Sequence, residues 1–108
     1  MENLQDTQIA ARIARLVEAE LPLLPDHLRS WVEAHRTRPT KISASTNPDG
    51  TQSVNVWLVT DHIGKSDASS RIVYDPATEM FGLVTLLENT LLWYMGPYGC
   101  LVETVQAI

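Results

Sequence analysis

Residues with the chemistry for catalysis cluster in two places. Asp61 and His62 head a polar stretch that continues through Ser66, Asp67, Ser69 and Ser70. Histidine titrates near neutral pH, and a neighbouring carboxylate can orient it as a general base. Adjacent residues at a strand end point to opposite faces, however, so Asp61 and His62 need not touch, and a solvated loop accounts for them equally well. The second place is Cys100, which follows Gly99 near the start of a closing helix. A helix N-terminus can lower a thiol pKa and make it nucleophilic, while a lone cysteine more often serves as a small buried hydrophobe. Asp61, His62 and Cys100 are thus the catalytic candidates, with His62 the activator of the thiol by its strand-end placement.

Other spacings exclude chemistry. Gly64-Lys65-Ser66 has the look of the end of a phosphate-binding loop, but the glycine such a loop needs before it is Val59 here. His27 and His35 stand about 12 Å apart along one helix axis and cannot share a metal. No metal ion or cofactor is expected.

The formal net charge of −5 is unevenly placed. Arg12, Arg15, Arg29, Arg36, Arg38 and Lys41 balance the acids of residues 1–41. Residues 42–108 set only Lys65 and Arg71 against Asp49, Asp61, Asp67, Asp75, Glu79, Glu88 and Glu103. Such a surface repels nucleic acid and attracts a basic partner, and it also serves plain solubility. Arg29, Arg36, Arg38 and Lys41 with His35 form the one basic patch. The aromatics lie mostly in the C-terminal part, away from it, so nucleic-acid contact is not expected.

The elements that position these groups follow from periodicity. Ile9, Ile13, Leu16, Val17 and Leu21 predict an amphipathic helix over residues 4–21, stopped by Pro22. Pro25 opens a second helix with an inner face of Leu24, Leu28, Trp31, Val32 and His35, and Pro39 ends it. Helices joined so closely should pack as a hairpin. From Thr40 the period falls to 2. Ile42, Ala44 and Thr46 mark a strand, Asn47-Pro48-Asp49-Gly50 a turn, and residues 51–60 a returning strand with Trp57 and Val59 opposite Val54, Val56 and Leu58. Residues 61–70 are a loop, Arg71–Tyr74 a third strand, and Asp75-Pro76-Ala77-Thr78 a turn into the apolar run Met80–Gly96. That run reads as two strands about Glu88-Asn89-Thr90. A helix would leave Phe81, Val84, Leu92 and Trp93 off its apolar face. Residues 98–108 supply the closing helix. The expected fold is α+β, one domain over residues 1–108: two N-terminal helices, a five-stranded antiparallel meander sheet and a short C-terminal helix.

Register sharpens the expectation. A four-residue loop at 76–79 sets Tyr74 opposite Phe81 and Ile72 opposite Leu83. A two-residue loop in the next hairpin puts Leu92 and Tyr94 on that same face. It leaves Trp57, Val59, Val73, Val84, Leu86, Trp93 and Met95 on the other, where one short helix cannot cover five strands. A bare apolar face implies a partner. Trp57, Val84, Leu86, Trp93 and Met95, with Asp61 and Asp67 of the acidic surface, are therefore the binding candidates, and a homodimer or another protein partner is expected there. The run Trp93–Gly99 suits either such an interface or the core under the last helix.

A single cysteine forms no internal disulfide, no basic-then-apolar leader opens the chain, and no apolar run reaches the roughly 20 residues that span a bilayer. A cytoplasmic protein without membrane contact is expected. Function is expected to be a small acidic, non-catalytic protein-interaction domain, like an immunity or antitoxin inhibitor of a basic effector in size and charge. The alternative is a small enzyme or ligand-binding domain using the Asp61–Ser70 loop and Cys100.

Overall fold

The apolar periodicity of the N-terminal segment becomes α1 (Leu4–Glu20), which buries Ile13 and Val17 and leaves its charged positions outside. Leu21–Leu23 tighten into a 3-10 turn, as suits a helix end running into proline. Helix α2 (Asp26–His35) starts on the Pro25 carbonyl, which accepts the Leu28 and Arg29 amides at 3.0 and 2.9 Å. Strands β1 (Arg36–Ser45), β2 (Ser53–Thr60), β3 (Ser70–Asp75), β4 (Met80–Leu87) and β5 (Leu91–Gly99) follow, and α3 (Leu101–Gln106) closes the chain. The computed structural model describes residues 4–47, 51–60, 70–87 and 91–107. The α+β order expected from the sequence is the one observed. Its first departure is at Pro39, which lies inside β1 instead of ending a helix. The β1–β2 register slips between Arg36 and Thr40, and this irregularity accommodates the missing N–H.

Each strand pairs antiparallel with the next, and among the described residues a single parallel pair, Ser45 with Trp93, joins β1 to β5 and closes the sheet into a barrel. The β3–β4 hairpin has the expected register, Tyr74 opposite Phe81 and Ile72 opposite Leu83. Tyr74 and Phe81 meet edge to face at 5.0 Å.

The other faces differ from expectation, for two reasons of register. Leu87 pairs with Leu91, so three residues separate β4 from β5 instead of two. That odd step flips Leu92 and Tyr94 away from Leu83 and onto the face of Val84. In β2, Trp57 pairs with Tyr74 and Leu58 with Val73, which turns Trp57 and Val59 toward the helices. The outer, convex core therefore joins Trp57, Val59, Ile72, Tyr74, Phe81 and Leu83 to Ile13, Val17, Leu24 and Val32 of the N-terminal segment and to Leu101 and Val105 of α3. All three helices lie on this one side, and the closest backbone neighbours of α1 are β1, the 3-10 turn and α3.

The second face is covered by the sheet itself. Ala44, Val56, Val73 and Val84 are buried on the concave side, flanked by half-buried Ile42, Val54, Leu58, Leu92 and Tyr94. Two bulges in β5, at Met95 and Tyr98, give the bend that brings β5 round to β1. Glycines follow them at Gly96 and Gly99, with φ of 111° and 108°. Among the described residues the expected bare apolar sheet face is not found, because curling buries Ala44, Val56, Val73 and Val84 within the chain.

Candidate functional site

Cys100 stands at the N-cap of α3, where the sequence placed it, but the slot for an anion is taken. The Glu20 carboxylate accepts the amides of Leu101 at 3.2 Å and Val102 at 3.3 Å. The Cys100 thiol donates to Glu103 Oε1 at 3.4 Å. The Glu103 backbone N–H pulls the thiol pKa down and is the largest single influence. Burial, the Glu103 carboxylate and the charge of Glu20 together outweigh it, so the thiol stands raised. A raised thiol beside two carboxylates is a poor nucleophile. His62 and Asp61 lie outside the described residues, as does Asp67, so the structure speaks only for the thiol. Among the described residues no three His, Cys, Asp or Glu side chains gather as for a metal ion.

The unusual polar groups are on the concave face. Arg71 lies opposite Val84, and Val84 opposite Tyr94, so the three form one row across β3, β4 and β5. Arg71 Nη1 and Tyr94 Oη are both buried without a hydrogen-bond partner. Burial pushes the Tyr94 hydroxyl up to about 12, with the negative charge of Asp75 adding to it. The Tyr94 ring lies over Gly82, where a Cβ would stand 2.9 Å from the ring edge, 3.1 Å from Oη and 2.5 Å from the Gly96 carbonyl oxygen. Only glycine leaves room for that ring. Asp75, on the same face, is 6 % exposed and accepts the Ala77 amide at 3.0 Å. Arg71 did not stand out in the sequence, and Tyr94 was read there only as part of the run Trp93–Gly99. The signal that could have found them is an arginine alternating with Val73 on an apolar face, and a glycine at the centre of β4.

Of the expected binding residues, Trp57 at 5 % and Val84 at 0 % exposure offer no docking surface. Trp57 faces the helices and Val84 the barrel interior. Trp93 is half-buried at the β1–β5 seam, and Met95 is exposed on its bulge. Leu86 pairs with Leu92, its side chain lying outside those described. Three of the four Arg and Lys side chains of the basic patch are paired within the chain. Arg29 pairs with Asp26, Arg36 with Glu18 and the Ala14 carbonyl, and Lys41 with Asp6. Arg12, on α1, pairs with Glu79. No described helix is long and apolar enough to cross a membrane.

Comparison of the chain with protein-family models, with curated proteins and with solved structures returns no match.

Proposed function

We infer that the chain is a small, acidic, non-catalytic binding protein that docks on a basic protein partner, in the manner of an immunity or antitoxin protein. The observation that carries this reading is the pairing of its cations. Arg12, Arg29, Arg36 and Lys41 are each held by one carboxylate of the same chain. Such pairs remove equal numbers of each sign, so the formal excess of −5 is left with little cationic patch to offset it. The raised Cys100 thiol adds to it by weakening the nucleophilic alternative. Asp75 plays no part in this surface, since it is buried and engaged by the Ala77 amide.

The test is association with basic proteins encoded by neighbouring genes, followed as an on-rate at low and at high salt. Exposed charges are screened over about 8–10 Å at physiological ionic strength, so the on-rate is expected to fall as salt rises. Asp61→Lys with Asp67→Lys is expected to slow it further. An on-rate indifferent to both salt and these reversals, or no association with any such protein, overturns the reading.

A further inference from the structure

Strand β1 has an edge that the barrel does not use. Every second residue of a strand turns its N–H and C=O away from the neighbour on one side. β1 runs beside β2, but among the described residues only Ser45 meets β5. From Arg36 to Ile42 the side away from β2 thus has no described strand against it. The irregular part meets its own needs, since the hydroxyls of Thr37 and Thr40 donate to the Arg38 carbonyl at 3.2 and 2.9 Å. Pro39 and the register slip keep a further strand from pairing there, which leaves Thr40–Ile42 as the regular stretch of edge.

Helix α1 lies alongside. Asp6 holds Lys41 at 3.3 Å and Glu18 holds Arg36 at 3.5 Å, so helix and strand run antiparallel. Between these two pairs the helix rises about 18 Å and the strand about 17 Å. Within that span Thr7, Ala10, Ala11 and Ala14 face Arg38 and Pro39 across a cleft of about 250 Å³. The cleft has room because its helix wall is alanine. Its charge is set by β1, which contains Arg36, Arg38 and Lys41 and no acid. Arg36 and Lys41 are taken by α1, and exposed Arg38 lines the cleft. Arg38 has contacts within the chain as well, and the five N–H donors of a guanidinium exceed what one partner uses.

We propose that the cleft between α1 and β1 takes an extended acidic segment of another protein, its backbone paired to Thr40–Ile42 and its carboxylate on Arg38. Main-chain hydrogen bonds give such an added strand its affinity, and pockets for alternate side chains give it specificity. A small apolar side chain fits the alanine wall, and the span of about 17 Å suits about five extended residues. This surface takes the opposite charge from the acidic one proposed above, so either reading stands without the other.

Amide NMR of the full chain with the capped peptide Val-Thr-Asp-Thr-Val tests this, the two valines and the aspartate sharing one face of the strand. The peptide is expected to shift the Thr40–Ile42 amides saturably. It is expected to bind about tenfold more tightly than its Asn counterpart at low salt, by a gap that narrows as salt rises. Only alternate amides of an added strand face its neighbour. N-methylation of the odd or of the even residues is therefore expected to abolish binding in one set and spare it in the other. Arg38→Gln is expected to erase the preference for Asp, and Ala11→Phe, at an exposed helix position, to fill the cleft and prevent binding. Absence of saturable shifts at these amides, loss with both methylated sets or with neither, or a preference for Asp that survives Arg38→Gln overturns the proposal. Shifts at the same amides that follow protein concentration without peptide also overturn it, since a second copy would then hold the edge.

Discussion

Glu20, the last residue of α1, caps the N-terminus of α3 through the amides of Leu101 and Val102, 81 and 82 residues further along the chain. A six-residue helix has little stability of its own. The carboxylate supplies two acceptors for amides that no intrahelical carbonyl can serve, and a negative charge at the positive end of the helix dipole. It also ties the first helix to the last over the same convex core.

Glu20→Ala should therefore cost about 1 kcal/mol, the usual worth of a helix cap, measured by denaturant unfolding. The same charge raises the Cys100 thiol. Glu20→Gln should let the thiolate form at lower pH, so the pH profile of reaction with a disulfide reagent is expected to move down. A profile that stays in place would mean that Glu20 does not act on the thiol.

Glu79 carries a φ of 57°, the one positive value among the described non-glycine residues. It closes the β3–β4 turn by donating its amide to the Asp75 carbonyl at 2.8 Å. Its side chain meets Arg12 on the surface, where a pair contributes little. Glu79→Gly should leave stability unchanged or raise it by up to about 1 kcal/mol, as the left-handed backbone is relieved. Glu79→Val, branched at Cβ, should lower it by about 1–2 kcal/mol. The two melting temperatures, compared with the parent, decide whether backbone strain or the ion pair dominates here.

Gly82→Ala should destabilise by roughly 2 kcal/mol, because the new methyl meets both the Gly96 carbonyl and the Tyr94 ring. Adding Tyr94→Ala removes the ring but not the carbonyl at 2.5 Å. The double variant is thus expected to stay unstable. Recovery to parental stability would show that the ring alone is the obstacle.

Alkaline titration should expose the burial of Tyr94. A phenol whose folded pKa is raised to about 12, above its ordinary 10.0, holds its proton more tightly in the folded state than in the unfolded. Stability is then fully present below about pH 10 and lost as pH rises toward about 12. Tyr74, also raised, chiefly by burial, contributes in the same direction. Tyr94→Phe should make the loss between those values shallower without removing it. Unfolding curves collected across this range, with tyrosinate absorbance, provide the check.

The sequence made legible whatever depends on local signals. α1 is visible in the spacing of Ile9, Ile13 and Val17, and the β3–β4 register in the turn that follows Asp75, because turn chemistry and period act over a few residues. The faces of β2 and β5 were not legible. One extra residue before Leu91 inverts Leu92 and Tyr94, and bulges at Met95 and Tyr98 leave no compositional mark except the glycines beside them. The expectation of a bare sheet face failed on these register choices and on the closure of the sheet, which buries Val73 and Val84 within the chain. Long-range choices were hidden for the same reason, since nothing near Glu20 announces Leu101, and nothing near Arg71 announces Tyr94. The buried unpartnered groups appear only once the sheet has curled.

The ring of strands is not equally strong all the way round. Four of its joints are ladders of antiparallel pairs, while the fifth is, among the described residues, the one pair Ser45–Trp93 between segments far apart in sequence. Closing that joint encloses the longest stretch of chain for the fewest bonds, so it forms after the hairpins and opens before them. Amide protons around Ser45 and Trp93 should accordingly be the first of the barrel to exchange with solvent deuterium, ahead of those in the β3–β4 hairpin. The barrel behaves as a clasped band, and the clasp decides when its apolar lining meets water.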